Sequence, residues 1–199
     1  MSLRHFLLDL DHRLLLAINH ADAPGLDAVM VFASDRRVWF PFYALLLGWL
    51  IWHFRRRAWG AVPLLIGSVA LADSITSRLF KPFVGRLRPC HAPGLAAQLH
   101  LPDGCGGQFG FLSSHAANSF ALAVFLLLTL PAGRYRALKT GVFLWAALLS
   151  YSRMYLGAHY PSDVLGGALV GAGLAWGAAA LLRRWSARAW AQAKGSATL

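Results

Sequence analysis

The sequence predicts an all-α protein: an integral membrane helical bundle with about five transmembrane helices, preceded by amphipathic helices lying at the bilayer interface. Three observations predict it. Hydrophobic residues make up 57% of the 199 positions and charged residues only 14%, with a mean hydropathy of +0.51, whereas soluble domains carry roughly 45–50% and about 25%. The apolar residues fall in runs long enough to cross a hydrocarbon layer about 30 Å thick. The basic residues sit in short clusters between those runs. A net charge of +11 in a soluble chain would suggest nucleic acid; in this pattern it reads as contact with anionic headgroups and as topology signals, with no nucleic-acid partner.

Residues 1–199 form a single membrane-embedded domain. In residues 3–18, Leu3, Phe6, Leu7, Leu10, Leu14, Ala17 and Ile18 share one helical face, with Asp9, His12 and Arg13 elsewhere. That pattern suits an amphipathic helix at a bilayer interface or on a partner, and its charges exclude a signal peptide. Pro24 opens a second short helix carrying Leu26, Val29, Met30 and Ala33, so residues 1–35 are interfacial. Five apolar runs follow: Val38 to Phe54, Trp59 toward Phe80, Ala116 to Leu130, about Thr140 to Leu156, and Val164 to Leu182. Each makes a helix of about 17–22 residues. Gly166, Gly167, Gly171, Gly173 and Gly177 in the last run are small-residue positions for close helix approach.

The segment 81–114 interrupts this regularity. It is rich in Gly, Pro and polar residues and long for a loop, which marks it as functional. Five spans place Arg55, Arg56, Arg57, Arg134, Arg136, Lys139, Arg183, Arg184, Arg188 and Lys194 on one face. Arg36, Arg37, Arg78, Lys81, Arg86, Arg88 and Arg153 fall on the other. With Lys81, Arg88 and Arg153 reserved for chemistry, four topology charges face ten, which puts the loop outside the cytoplasm, on the periplasmic side of an inner membrane.

Side chains able to do chemistry gather on that outer face. Lys81 and Arg88 open the loop; Ser113, Ser114 and His115 close it; Ser152, Arg153, His159 and Asp163 surround the turn between the last two helices. A guanidinium binds two oxygens of a tetrahedral oxyanion as a fork and an ammonium acts as a point charge. Backbone N–H groups at the start of the third long helix extend such a cradle. His159 and Asp163 are spaced to share a helix face, so the carboxylate can hold one ring nitrogen and leave the other to attack, while His115 can protonate a departing alkoxide.

Lys81-x6-Arg88-Pro89, then Ser113-Ser114-His115, then Ser152-Arg153-x5-His159-x3-Asp163 resemble, in order and spacing, the three signature motifs of the type 2 phosphatidic acid phosphatase superfamily. The second departs from the family's Pro-Ser-Gly-His, reading Leu112-Ser113-Ser114-His115, which puts a hydroxymethyl group beside the phosphate pocket. The resemblance implies a phosphohydrolase with no cofactor and no metal. His159 would attack phosphorus with Asp163 holding it, and His115 would protonate the leaving group. Lys81, Arg88, Ser113, Arg153 and the Ser114 amide would bind the phosphoryl oxygens. It implies a lipid phosphate or diphosphate substrate, undecaprenyl diphosphate first, with phosphatidylglycerophosphate, phosphatidate and lipid A 1-phosphate as further candidates. Two other classes share the pocket: a vanadate-dependent haloperoxidase, against which the apolar runs argue, and a non-catalytic lipid-binding or transport scaffold. Nothing in the sequence fixes an oligomeric state.

Cys90 and Cys105 suit a disulfide closing the loop; a zinc site with His91 and His100, or two thiols, are the alternatives. Arg36, Arg37 and Arg86 read as headgroup anchors, and the tryptophans, Trp39 and Trp49 among them, as interface anchors. Asp73, inside the second apolar run, needs a partner: a nearby Arg, a helix backbone group, or one of the catalytic cations.

Overall fold

The structure, a computed structural model, describes residues 3–195. The helices are α1 (Leu3–Asn19), α2 (Pro24–Ser34), α3 (Phe40–Phe54), α4 (Ala58–Ser74), α5 (Lys81–Val84), α6 (Ser114–Thr129), α7 (Arg136–Tyr155) and α8 (Pro161–Gly195). Among the described residues, pairing of the β type is confined to an isolated antiparallel bridge between Leu87 and Phe109. Helix starts follow local chemistry: Pro24 and Pro161 stand at first positions, where the missing N–H costs nothing, and the Ser113 side chain caps α6.

Two helical stretches, Arg36–Val84 and Pro161–Ser186, are long and apolar enough to cross a membrane. The first is a hairpin, because Arg55 takes φ 48°, a 3-10 turn spans Arg55–Arg57, and α3 packs back on α4. Five separate spanning helices are therefore not all met by length and apolarity. At 16 residues, α6 is shorter than the roughly 20 needed to cross alone. It is instead the central helix, with α4, α7 and α8 packed around it. The second apolar run also extends further than its sequence suggests: a π-helical turn, Ile75–Phe80, carries α4 into α5, so Lys81 lies on a helix and the loop begins at Gly85.

The core is built from Leu46, Leu50, Leu65, Phe125, Leu126, Trp145 and Leu149, with alanines where α6 meets its neighbours. Closest approach is between α6 and α8. A Cβ on Gly167 would strike the Ser113 carbonyl oxygen and one on Gly171 the Ala117 carbonyl oxygen, so only glycine fits. Gly173 and Gly177 meet nothing and play no such part. Leu45, Trp52, Trp59, Leu144, Leu165, Leu169 and Trp176 stand exposed on the outer faces, an apolar belt far larger than a soluble monomer shows. Trp39 is not a surface anchor: it packs edge-on against Trp145 and donates Nε1–H to the Ala33 carbonyl at 2.9 Å.

The N-terminal helices are more than interfacial. The apolar face of α1 points outward, with Phe6, Leu7, Leu10 and Leu14 exposed, while Asp11, Leu15 and Asn19 turn inward. Two polar groups can be buried there because each is fully engaged. Asn19 donates to the Tyr155 and His100 carbonyls (2.7 and 2.8 Å), and Asp11 reaches the N-terminus of α8. On α2, Asp27 bonds the Tyr155 hydroxyl at 2.6 Å and pairs with His100 at 3.0 Å.

Cys90 and Cys105 form a disulfide with Cα atoms 5.8 Å apart. Their sulfurs are thereby spent as metal ligands, and His100 is committed to Asp27. Closing a separation of 15 residues restricts the unfolded chain, so replacing both cysteines by serine is expected to lower the unfolding free energy by about 3 kcal/mol. Thermal unfolding in detergent measures this, and intact mass under non-reducing conditions should show two hydrogens fewer than the dithiol.

Candidate active site

The segments carrying Lys81, Arg88, Ser114, His115, Arg153, His159 and Asp163 meet at one end of the bundle. α5 presents Lys81, whose Nζ donates to Ser114 Oγ at 3.2 Å. The buried Thr76 hydroxyl lies 2.9 Å from the same oxygen, so the Ser114 side chain ties the end of α4 to the start of α6. Fully buried Ser113 uses its hydroxyl as the α6 cap, accepting from the Ala116 N–H, and its own N–H goes to the Asp163 carbonyl at 3.0 Å.

Arg88 is held by the folded-back loop. Its N–H donates to the Gln108 carbonyl, the Gly110 N–H to the Arg86 carbonyl (both 2.9 Å), and its Nε to the Phe109 carbonyl at 3.3 Å. Gly110 is needed for space: a Cβ there would sit 3.0 Å from Asp163 Oδ2 and 3.3 Å from Arg88 Cγ. Arg153, in the last turn of α7, bonds Ser34 Oγ at the end of α2. The Arg153 carbonyl accepts from the N–H groups of Ala158 and His159 (3.0 and 3.1 Å), which shapes the turn presenting His159.

His159 is 1% exposed. Burial and the charges of Arg88, Arg153 and Lys81 hold its imidazole well below the ordinary histidine range, so the ring is neutral and able to act as a nucleophile. Its Nδ1 stands 3.6 Å from Asp163 Oδ2, too far for a hydrogen bond. The direct bond expected from the sequence is therefore open in this structure. Each Asp163 oxygen already has a partner: Oδ2 accepts from the Tyr160 N–H at 3.1 Å and Oδ1 from Arg86 at 2.9 Å. Such contacts commonly tighten when substrate binds. Since the ring must be neutral to attack, the acid limb of kcat/KM assigned to it is expected below pH 6.5. Initial rates from pH 4 to 9, corrected for the substrate's own second ionisation near 6, check this; a limb above the ordinary histidine value would contradict it.

Arg86 is the residue the sequence reading assigned wrongly. It is no headgroup anchor: its guanidinium bridges Asp163 and Asp11 (2.9 and 2.6 Å), bonds Ser162 Oγ at 2.7 Å and stacks 3.9 Å over the Tyr160 ring. Asp11 also accepts from the Ser162 N–H at 2.9 Å, so α1, the loop and α8 are locked together behind His159. Five of the eight acidic residues fall in the first 35 positions, an excess that an anion-seeking interfacial helix does not explain. Among the described residues the Asp73 side chain bonds neither an Arg nor a backbone group: its Oδ1 accepts from Asn118 Nδ2 at 3.0 Å, and its charge acts on Lys81, one of the catalytic cations expected from the sequence.

A cavity of about 730 Å³ opens beside this centre, with His115, Ser114, Asp73 and Asn118 near α6 and aliphatic side chains of α3, α4, α6 and α7 elsewhere. His115 stands in its wall.

A buried imidazole under the influence of three cations, with a second histidine lining a largely apolar cavity, is an arrangement suited to phosphoryl transfer within a helical bundle. Residues 61–187 match the PAP2 superfamily, and the chain belongs to it. It is 39% identical over 177 residues to a lipid A 4'-phosphatase of Bacteroides thetaiotaomicron, covering 86% of this chain and 76% of that protein. It is 32% identical over 157 residues to an undecaprenyl-diphosphatase of Sulfolobus acidocaldarius, covering 77% and 69%. The fold matches that of a transmembrane PAP2-type phosphatidylglycerolphosphate phosphatase from Bacillus subtilis with a TM-score of 0.66 at 24% identity, over 92% of this chain and 87% of that one. The chain is thus an enzyme, a lipid phosphatase of the PAP2 type.

Proposed function

We propose that this phosphatase hydrolyses a lipid phosphate at the outer face of the inner membrane through a phosphohistidine on His159. The observation that carries the reading is that His115 lines the cavity while the buried His159 ring feels the charges of Arg88, Arg153 and Lys81. His159 Nε2 attacks phosphorus and the bond to the lipid oxygen breaks. His115 supplies the proton that this oxygen takes up. Water then attacks the phosphohistidine while His115 recovers a proton, releasing inorganic phosphate and the neutral ring. Lys81, Arg88 and Arg153 balance the negative charge on the phosphoryl oxygens, and the start of α6 adds backbone donors near Ser114.

With Arg86 tied to two carboxylates, ten basic residues on one face against Arg36, Arg37 and Arg78 on the other support a periplasmic site. In this reading α3, α4, α6, α7 and α8 cross the bilayer, α6 sheltered by its neighbours, and α1 and α2 lie on the outer side. Lipid A 4'-phosphate ranks ahead of undecaprenyl diphosphate, the substrate expected first, because the match to the Bacteroides enzyme is both higher and longer. Phosphate release from lipid A, undecaprenyl diphosphate, phosphatidylglycerophosphate and phosphatidate, measured with purified protein in excess chelator, tests the reading. Turnover should persist in chelator and be greatest with lipid A. Release from none of the four, or its loss in chelator, would overturn it.

A further inference from the structure

The cavity beside the reaction centre changes character along its length. Most of its wall is aliphatic, but at the junction of α2 and α3 it is lined by Asp35, Arg36 and Arg37. Among the described residues neither guanidinium has an ion pair. The two carboxylates of the same wall are engaged elsewhere: Asp35 Oδ1 accepts from the Arg37 backbone N–H at 2.9 Å, and Asp73 Oδ1 from Asn118. His115 shares the cavity wall with these arginines, whereas Lys81, Arg88 and His159 do not line it.

His115 thus marks a boundary. The phosphoryl group being removed lies on its far side, among Lys81, Arg88 and Arg153; the leaving lipid lies on the cavity side, with Arg36 and Arg37. Arg36 and Arg37 are exposed at the mouth of this cleft, where guanidinium groups free of ion pairs add positive potential and can match a phosphate through forked hydrogen bonds. Resting on the lipid phosphatase reading, we propose that Arg36 and Arg37 form a second anion subsite, which selects substrates whose leaving portion keeps a phosphate of its own. That second phosphate is either the one adjoining the scissile bond in a diphosphate lipid or a remote one on a bisphosphorylated glycolipid.

The test compares kcat/KM for three substrates: phosphatidate, undecaprenyl diphosphate and a bisphosphorylated lipid A. Wild type should favour at least one two-phosphate lipid over phosphatidate. In R36Q/R37Q that preference should fall by about 10–100-fold, the worth of one or two charge-assisted contacts, and R36K/R37K should restore part of it. Loss confined to the diphosphate assigns the subsite to the adjoining phosphate; loss confined to lipid A assigns it to the remote one. A preference absent in wild type, or unchanged within twofold in the variant, overturns the subsite and reduces the pair to headgroup anchors, which act on all lipids alike. Because the readout is a ratio, a general loss of active protein does not mimic it, and monodispersity in detergent is checked alongside. Failure of wild type to release phosphate from any lipid would instead refute the phosphatase reading.

Discussion

The His159→Ala variant is expected to lose phosphate release by about 10⁴-fold or more while still binding the lipid. In the proposed mechanism the buried His159 imidazole is the nucleophile, and alanine leaves that position with no group able to accept the phosphoryl group. Water alone must then attack a phosphoryl group without the covalent shortcut. Wild-type protein quenched in alkali during turnover of a labelled lipid should carry phosphate that is stable in base and labile in acid, and the variant should carry none. Equilibrium binding of lipid to the variant should stay within about tenfold, since the cations remain. Turnover within tenfold of wild type, or an unchanged phosphoprotein signal, would show that His159 is not the attacking group.

Much of this site is legible in the chain because its parts sit at helix ends at fixed spacing. Lys81, Arg88, the Ser113–His115 start of α6, and Arg153 through Asp163 are each set by local turns, and three such segments in order identify the chemistry before any packing is known. What lies outside the motifs is set by long-range contacts and leaves no local trace. Arg86 looks like Arg36 or Arg37 in sequence, two residues from Arg88 in a basic stretch. Only the return of the loop against α8, and of Asp11 across from α1, gives it two carboxylates. The outward-facing apolar stripe of α1 was readable as an amphipathic pattern, but the same pattern hides that Asp11 and Asn19 occupy the inward face. The start of the loop differs for a related reason: the apolar run ends at Phe80 as its hydropathy indicates, but α5 keeps Lys81–Val84 helical beyond it.

Arg86→Ala should therefore cost more than any other change outside the phosphate cradle. Its guanidinium sits between Asp163, with no exposed side-chain surface, and Asp11, with 7%. Removing it leaves two enclosed carboxylates without their shared counter-ion, and the loss of a buried ion partner costs about 3–5 kcal/mol. Activity should fall as well, because Asp163 can orient His159 only while its own second oxygen is fixed; kcat is expected to drop about 10²-fold with KM within threefold, since the substrate's cations are elsewhere. Arg86→Lys cannot repair this, as one ammonium does not span both acids or stack on Tyr160. Two further measurements separate positioning from simple destabilisation. Asp11→Asn combined with Arg86→Ala should recover stability, by removing one uncompensated charge, without recovering kcat. Added guanidinium ion should partly restore kcat in Arg86→Ala and leave wild type unaffected. If kcat returns with stability in the double variant, Arg86 is a structural clamp alone, and the link from α1 through Asp163 to the attacking ring is absent.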